Sequence, residues 1–354
     1  MSGVVGIFSK KIKHVSQILY YGLYALQHRG QISAGIAVNN NGFVDHFKEL
    51  GLVHEVFPKE TMDRLRGDIA IGHVQYGTSS QRQNTMNAQP LVVGYKKGAL
   101  ALSLDGEIVN FLELRDKLED RGIIFQSDLH GEVIANLIAR YHRDNLEEAV
   151  LRALDDIVGS YGLLVMSNEK LIATRDPFGL KPLSLGKMGE DYVLASETCA
   201  FDTMGAKFIR VIEPGEVIVI DKDGIKTIQN KPKERNLCLF ELIYFARPDS
   251  KVDGKSIYLS RIEAGRQLAR EAPIDADIVI GAPDSGIVTA IGYAEESKIP
   301  YAEGLIKNRY VGRTFIQPTQ ELREQGVRIK LNPLKENIEG KRVILVDDSI
   351  IRGT

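Results

Sequence analysis

The C-terminal residues 342–354, RVILVDDSIIRGT, join a continuous apolar run to two adjacent carboxylates and a turn of small residues. A continuous Val/Ile/Leu run is typical of a buried parallel strand, and ligands of α/β sheets bind just beyond the carboxyl ends of such strands. Asp347 and Asp348 lie at that end. Because adjacent carboxylates repel each other, they are rarely placed together without hydroxyl groups or a divalent cation to accept their charge. The pattern predicts a sugar-phosphate site, and the preceding apolar strand disfavours the alternative of a simple helix-capping turn.

Composition indicates a soluble intracellular enzyme. A chain of 354 residues with 44% hydrophobic content can form two domains, each with its own core. The net charge of −2 gives no electrostatic reason to expect a nucleic-acid partner. The two cysteines, Cys199 and Cys238, do not suggest a disulfide framework, and we find neither a membrane span nor a signal peptide. We therefore expect a cytoplasmic protein.

A polar, proline-containing run at residues 231–236 divides the chain into predicted domains 1–233 and 237–354. Upstream, short apolar or alternating runs predict strands, with a helix over 15–27 that Gly30 ends. The predicted strands are 4–8, 70–74, 99–104, 162–166 and 217–220. Downstream, strand and helix alternate, which favours a parallel sheet covered by helices. The predicted elements there are strand 277–281, helix 287–296, strand 302–307 and strand 343–348.

Two further segments of the second domain carry polar groups suited to an anionic ligand. Residues 281–286, GAPDSG, form a small turn between a strand and a helix, and helix N-terminal amides attract anions. That turn is a weak signal alone and a strong one together with Asp347 and Asp348. Residues 305–318, LIKNRYVGRTFIQP, contain three cations, an aromatic residue and a glycine suited to a hinge. The alternative interpretation of the latter segment is a solvated basic turn.

Together these segments resemble the glutamine phosphoribosylpyrophosphate (PRPP) amidotransferase family. In the N-terminal part the resemblance rests on residues 3–7 (GVVGI), 26–35 (LQHRGQISAG), 71–74 (IGHV), 175–183 (RDPFGLKPL) and 195–198 (ASET). The resemblance implies an α/β chain, α+β in its first part. An N-terminal-nucleophile αββα sandwich is followed by an incomplete type I phosphoribosyltransferase parallel sheet. It implies formation of 5-phosphoribosylamine from PRPP, the first step of de novo purine synthesis.

The resemblance also assigns residues to the PRPP site. It implies PRPP contacts by Asp284, Ser285, Asp347, Asp348, Ser349, Arg352, Gly353 and Thr354. It places Mg²⁺ between PRPP and the side chains of Ser285, Asp347 and Asp348, which are oxygen ligands suited to a hard cation. In the basic segment, Lys307, Tyr310 and Arg313 are the expected catalytic residues, because that segment closes over PRPP and adds positive charge at the leaving pyrophosphate.

The resemblance fails at four positions of the glutamine site. Ser2 stands in place of the nucleophilic cysteine, and its hydroxyl is far less ionised than a thiol. Gln75 replaces an arginine that clamps the glutamine carboxylate. Asp105, before Gly106, replaces an asparagine that donates to the oxyanion, and His130 replaces a carboxylate that holds the substrate ammonium. We expect that this domain does not hydrolyse glutamine and that the enzyme depends on ammonia if active.

The same substitutions make the Arg-Asp-Pro motif at residues 175–177 a structural feature. A buried pair between Arg175 and Asp176 is expected to hold the sandwich together without turnover.

Cys238 aligns with the first cluster cysteine of an iron-sulfur subgroup of this family, whose other ligands would lie beyond residue 354. The chain ends where members of the family continue into further strands and helices. We therefore expect either a fragment or a truncated copy.

The sequence is compatible with three functions. The first is ammonia-dependent phosphoribosylamine formation by a homo-oligomer, with nucleotides as possible regulators. The alternative is a non-catalytic paralogue that binds PRPP or nucleotides, or that regulates an active subunit. A sugar or asparagine amidotransferase is disfavoured, because residues 237–354 match neither kind of second domain.

Overall fold

The computed structural model describes residues 2–76, 84–308 and 326–350. It divides into two compact units. The first contains the chain up to Cys238 together with Lys251–Gly254, and the second contains Leu239–Ser250 and the chain from Lys255 onward.

The first unit contains two antiparallel sheets. Its strands are β1 (Ser2–Phe8), β2 (Ser33–Asn40), β3 (Phe43–Leu50), β4 (Ile69–Gln75), β5 (Leu91–Tyr95), β6 (Gly98–Ile108), β7 (Gly159–Met166), β8 (Leu171–Arg175), β9 (Ser184–Met188), β10 (Asp191–Ala195), β11 (Lys207–Val211), β12 (Glu216–Asp221) and β13 (Gly224–Gln229). One sheet has seven strands in the order β11-β9-β10-β1-β4-β2-β3. The other has six, in the order β13-β12-β8-β7-β6-β5. All five strands predicted for this part of the chain are confirmed within a few residues.

Helices cover the outer faces of both sheets. They are α1 (Val15–Ala25), α2 (Val53–Val56), α3 (Lys59–Arg64), α4 (Phe111–Glu119), α5 (His130–Tyr141), α6 (Leu146–Asp156) and α7 (Cys199–Met204), with 3₁₀ turns at Gln27–Arg29 and Thr85–Asn87. Alternation along β1 shows the layering: Val4 belongs to the apolar core between the sheets, and Val5 belongs to the core beneath α1. The predicted αββα sandwich is confirmed.

Gly30 ends the predicted helix over 15–27, but the last turn differs from expectation. The α-helix stops at Ala25, and Gln27–Arg29 continues as a 3₁₀ turn. A Cβ at position 30 would lie 2.4 Å from the backbone nitrogen of Gln75. Glycine is required there because the chain crosses β4 at close range.

The second unit has a parallel strand pair and two packed helices. Its elements are a π-helical turn (Glu241–Phe245), α8 (Ile257–Glu271), α9 (Ser285–Ser297), a short helix (Lys335–Ile338) and the strands β16 (Ile278–Gly281), β17 (Leu305–Lys307), β18 (Leu331–Pro333) and β19 (Val343–Val346). Two-residue strands β14 (Lys251–Val252) and β15 (Lys255–Ser256) precede α8. β16 and β19 pair in parallel, with Gly281 opposite Val346.

One strand of the second unit is paired differently from expectation. Residues 302–307 were expected to join the parallel sheet. The start of the segment does so, since the Ala302 N–H donates to the Val279 carbonyl beside a parallel bridge between Tyr301 and Val279. Leu305–Lys307 instead forms a strand that pairs antiparallel with Leu331–Pro333. The reason is that strand direction depends on a distant partner, which the local apolar pattern does not specify. Among the residues that the structure describes, no helix is long and apolar enough to cross a membrane.

Candidate functional site

Ser2 is the first residue of β1, and its backbone is held from three sides. Its N–H donates to Oδ1 of Asp105 at 2.8 Å, and its carbonyl oxygen accepts from Nε of Arg29 at 2.9 Å. On the neighbouring strand β4, Gln75 lies directly opposite. Ser2 is buried. Three elements that are distant in sequence therefore meet at this residue.

Asp105 lies on β6 within a buried group of charges. Oδ2 accepts from Nη2 of Arg29 at 3.3 Å, and Nζ of Lys181 lies 3.4 Å from Oδ1. Arg29 also donates from Nη1 to Glu197 at 2.6 Å. We call Ser2, Arg29, Asp105, Lys181 and Glu197 the Asp105 cluster. The side chains of Arg29, Asp105 and Glu197 are at most 1% exposed, so each of these charges is satisfied inside the protein.

The protonation state of Asp105 follows from these contacts. Burial alone would raise the pKa of this carboxyl, but Lys181, Arg29 and the Ser2 N–H lower it to about 2. Asp105 is therefore an anion at neutral pH. A negative charge 2.8 Å from the Ser2 backbone would repel an oxyanion forming beside that residue.

Gln75 offers a neutral amide where the resemblance places a cation. It is buried at the end of β4, and its Oε1 accepts a hydrogen bond from the Ser33 hydroxyl at 3.2 Å. Ser33 lies opposite it on β2, as Ser2 does on β1. The amide supplies no positive charge to bind a carboxylate.

His130 begins α5 and contacts the same strand as Asp105. Its Nδ1 accepts the backbone N–H of Ile108 at 2.9 Å, and its ring stacks on Phe111 with 4.3 Å between centroids. Burial lowers the pKa of the imidazole. A neutral ring whose Nδ1 is already an acceptor does not attract an ammonium group as a carboxylate does.

Gly106 lies on β6 between Asp105 and Ile108, and close packing against β7 requires a residue without a side chain there. A Cβ there would lie 2.0 Å from the carbonyl oxygen of Ser160 on β7. Ser2 thus contacts both Gln75, by strand pairing, and Asp105, by a hydrogen bond. His130 contacts β6 at Ile108, three residues beyond Asp105. The sequence did not predict that His28, Arg29, Lys181 and Glu197 belong to this site. The sequence signal that could have identified them is the presence of charged residues within motifs of otherwise small or apolar residues.

The expected Arg175–Asp176 pair is wrong. Arg175 forms a two-pronged ion pair with Asp253, with distances of 2.7 and 2.9 Å, and both side chains are buried. The Asp176 carboxylate instead accepts the backbone N–H groups of Phe178, Leu180 and Lys181. Adjacent residues on a strand point to opposite faces, which separates the two side chains.

The second unit brings together two of the predicted PRPP-site loops. The Ser285 hydroxyl, at the start of α9, donates to Oδ1 of Asp348 at 3.1 Å. Asp348 follows β19, and its Oδ2 accepts from the Ser349 hydroxyl at 3.2 Å. Asp347 accepts the N–H of Asp348 at 2.8 Å. The loops that follow the parallel strands β16 and β19 thus meet at the carboxyl ends of those strands.

Lys307 adds a cation to this edge. Its Nζ forms an ion pair with Asp284, the residue before α9. The peptide bond between Pro283 and Asp284 is cis. Tyr310 and Arg313 of the basic segment, and Arg352, Gly353 and Thr354 of the phosphate loop, lie outside the described residues.

The donor set of this edge fits a magnesium ion. Burial, together with the hydrogen bond and negative charge of Asp348, raises the pKa of Asp347. A cation between the carboxylates would relieve that cost, and carboxylate and hydroxyl oxygens are ligands that Mg²⁺ accepts. Within residues 2–76, 84–308 and 326–350, no group of three or more His, Cys, Asp or Glu side chains is arranged to hold a metal. Water and substrate oxygens would have to complete the coordination shell.

Cys238 does not fit an iron-sulfur cluster within this chain. It is half-buried and has a free thiol, and Cys199 is buried elsewhere in the first unit. A four-iron cluster takes four thiolates, and the chain has two cysteines.

Comparison with known sequences connects both units to one family. A family model for a glutamine amidotransferase domain matches residues 78–203. The amidophosphoribosyltransferase of Archaeoglobus fulgidus is 47% identical over 360 residues, which cover 100% of this chain and 78% of the relative. The amidophosphoribosyltransferase of Methanocaldococcus jannaschii is 48% identical over 374 residues, covering 100% of this chain and 79% of that relative.

Solved structures give the same result for the fold. A structure described as the allosteric regulatory enzyme of purine biosynthesis superposes with a TM-score of 0.93 at 47% identity, covering 99% of this chain and 76% of that one. Glutamine PRPP amidotransferase from Bacillus subtilis, complexed with ADP and GMP, gives a TM-score of 0.92 at 46% identity over 99% of this chain and 76% of its own. The predicted fold of both parts is confirmed.

Proposed function

Because this chain belongs to the amidophosphoribosyltransferase family, we propose that it forms 5-phosphoribosylamine from PRPP and free ammonia, without hydrolysing glutamine. The reaction is the first step of de novo purine synthesis. The observation that carries the ammonia dependence is the ionised Asp105 carboxylate, 2.8 Å from the Ser2 nitrogen. We further propose that the glutaminase-like domain spans 1–233 and the transferase domain spans 237–354.

The contact between Ser285 and Asp348 supports PRPP binding at the second unit. Asp347, Asp348 and Ser285 would hold Mg²⁺, which, when bound, supplies positive charge against the pyrophosphate leaving group. The carboxylates of Asp347 and Asp348 are also acceptors suited to ribose hydroxyls. The N-terminal amides of α9 lie beside Ser285 and are suited to phosphate oxygens.

Lys307 acts as a mobile charge in this proposal. Its ammonium group is paired with Asp284, and the side chains of the pair are 27% and 72% exposed. An exposed ion pair is weak, so a pyrophosphate group could displace Asp284 at small cost. The ammonium would then stabilise the negative charge that develops as the anomeric C–O bond breaks.

The amine transfer demands little acid-base chemistry from the protein. Ammonia attacks the anomeric carbon as pyrophosphate departs, and one proton is lost from the resulting ammonium to solvent. Water competes with ammonia for the same carbon. Exclusion of water from the anomeric carbon therefore determines the yield of amine.

Loss of glutaminase activity follows from three neighbouring side chains. A serine hydroxyl replaces a thiol at position 2, Gln75 lacks charge for a substrate carboxylate, and Asp105 opposes an oxyanion. Each change alone would slow hydrolysis. Together they remove the nucleophile, the clamp and the electrostatic stabilisation of one site.

The test compares ammonium chloride with glutamine as nitrogen source. Purified protein, PRPP and Mg²⁺ are incubated with each, and pyrophosphate release and glutamate release are measured. We expect pyrophosphate release that rises with ammonium and no glutamate above an enzyme-free control. Turnover with neither source, together with measurable PRPP binding, would identify the alternative, a non-catalytic PRPP-binding paralogue.

We propose purine nucleotides as regulators and a homo-oligomer as the working form. The Bacillus subtilis relative is complexed with ADP and GMP, and another neighbour is described as an allosteric regulatory enzyme. Inhibition of ammonia-dependent turnover by ADP and GMP, measured at saturating and limiting PRPP, tests the first part. Size-exclusion chromatography with light scattering tests the second.

A further inference from the structure

Three donors converge on the carboxylate of Asp105. They are the N–H of Ser2 at 2.8 Å, Nη2 of Arg29 at 3.3 Å and Nζ of Lys181 at 3.4 Å. Two of them are cationic, and the Arg29 and Lys181 side chains are 0% and 13% exposed. A buried cation, a largely buried one and a backbone N–H that point at one carboxylate form the kind of environment that binds a small carboxylate.

The Asp105 cluster balances its charges internally. Arg29 and Lys181 contribute two positive charges, and Asp105 and Glu197 contribute two negative ones. Removal of the Asp105 carboxylate would leave one buried positive charge in excess. An unpaired charge in the interior is costly, so the vacated position would attract an anion from solution.

The donors would remain in place without Asp105. The Arg29 guanidinium is fixed by its bonds to the Ser2 carbonyl and to Glu197, which also contacts Nε2 of His28 at 2.7 Å. Ser2 is fixed by its strand pairing. Of the three donors, only the Lys181 ammonium therefore depends on Asp105 for its position.

We propose that Asp105 is a built-in anion whose carboxylate permanently fills a carboxylate-binding site formed by the Ser2 N–H, Arg29 and Lys181, and so closes that site to solutes. By neutralising the buried cations, the Asp105 carboxylate stabilises the folded protein. The inference deepens the proposed loss of glutaminase activity. Its test uses no glutamine, so the two proposals can fail separately.

Chemical rescue of Asp105→Ala by formate tests the proposal. The variant removes the carboxylate and leaves space for a formate ion. We expect its Tm to fall by about 10 °C relative to the parent protein, and formate to restore at least half of that loss in a saturable manner. Formamide, which is neutral and of similar size, and sodium chloride at equal ionic strength should restore none of it.

Two further variants make the test specific. Asp144→Ala removes an aspartate whose side chain is 98% exposed, and its Tm should not respond to formate. Asp105→Ala combined with Lys181→Ala should lose most of the formate response, because one donor is gone. An equal formate response in all variants, or none in a folded Asp105→Ala, would overturn the proposal.

If Asp105→Ala does not fold, a second pair of variants, which changes the charge balance of the cluster, tests the proposal. Asp105→Asn keeps the shape of the side chain and leaves a positive charge unpaired. Adding Lys181→Gln restores the balance, so the double variant should have a higher Tm than Asp105→Asn alone. A double variant that is no more stable than the single one contradicts the proposal.

Discussion

The Ser285 hydroxyl lies 3.1 Å from Oδ1 of Asp348, which joins two loops separated by 63 positions in the sequence. The loops follow strands β16 and β19, which pair in parallel. A Cβ at Gly286 would lie 2.4 Å from the carbonyl oxygen of Val346, so glycine lets α9 start directly against β19. This close approach positions a hydroxyl and two carboxylates around one point at the sheet edge.

We predict that PRPP binding at this edge depends on Mg²⁺ and on Asp347. Replacing Asp347 by Asn should weaken Mg²⁺-dependent PRPP binding about 10- to 100-fold, since an amide is a poorer ligand for a hard cation and carries no charge. Titration calorimetry with and without Mg²⁺ measures this. The control is Asp275→Asn, whose carboxylate is 86% exposed, and it should bind like the parent protein. Equal affinity with and without the metal would argue against a cation bridge.

We predict that a single reversion will not restore glutamine hydrolysis. Ser2→Cys should release no glutamate above background, because Gln75 and Asp105 still oppose substrate binding and the oxyanion. The combined variant Ser2→Cys, Gln75→Arg, Asp105→Asn and His130→Asp should gain activity, with about 100- to 1000-fold attributable to the oxyanion donor. The control carries the last three changes with Ser2→Ala. Glutamate release by the Ser2→Cys protein would show that the substituted site still works.

The elements that the sequence predicted well have strong local signals. The apolar run at Val343–Val346 and the small-residue turn before α9 each specify their own secondary structure, and parallel strand ends place their loops together. Ser2 and Gln75, two of the positions substituted at the glutamine site, lie side by side because β1 and β4 pair with these residues opposite each other.

The features that the sequence did not predict depend on contacts between distant residues. Arg175 pairs with Asp253, 78 positions away, rather than with its neighbour Asp176. Similarly, Arg29 and Lys181 reach Asp105 from separate elements. No local periodicity reports which buried charge will neutralise another, since that choice is made only when the sheets pack.

We predict that the Arg175–Asp253 pair is a major contributor to stability. Asp253 has φ of +50°, so Asp253→Asn is the appropriate change, because asparagine tolerates that backbone and removes only the charge. The free energy of unfolding should fall by about 3 kcal/mol, since Arg175 is buried and would lose its counter-ion. The denaturation midpoint in urea measures this loss. Asp249→Asn, at a half-exposed pair with Arg247, should change it by less than about 1 kcal/mol. Equal losses in the two variants would contradict the prediction.

His73 gives the first unit a distinct dependence of stability on pH. Its side chain is fully buried on β4, with Nε2 lying 3.1 Å from the Leu104 carbonyl oxygen. Burial lowers the pKa of the imidazole from its ordinary 6.5 to about 4. A histidine that is kept neutral in the folded protein stabilises it fully above pH 6.5, and that contribution is lost as the pH falls toward 4.

We predict that His73→Gln flattens the pH dependence of stability between pH 6.5 and 4. A shift of this size corresponds to about 3 kcal/mol lost by the parent protein across that window, and glutamine has no proton to gain. Urea unfolding at several pH values measures the difference between parent and variant. The exposed His54→Gln should follow the parent curve. Asp105 does not interfere, because its stabilising effect is present above pH 3.8 and is lost only as the pH falls through about 2. Parallel curves for parent and His73→Gln would show that the buried imidazole is not the source of this acid sensitivity.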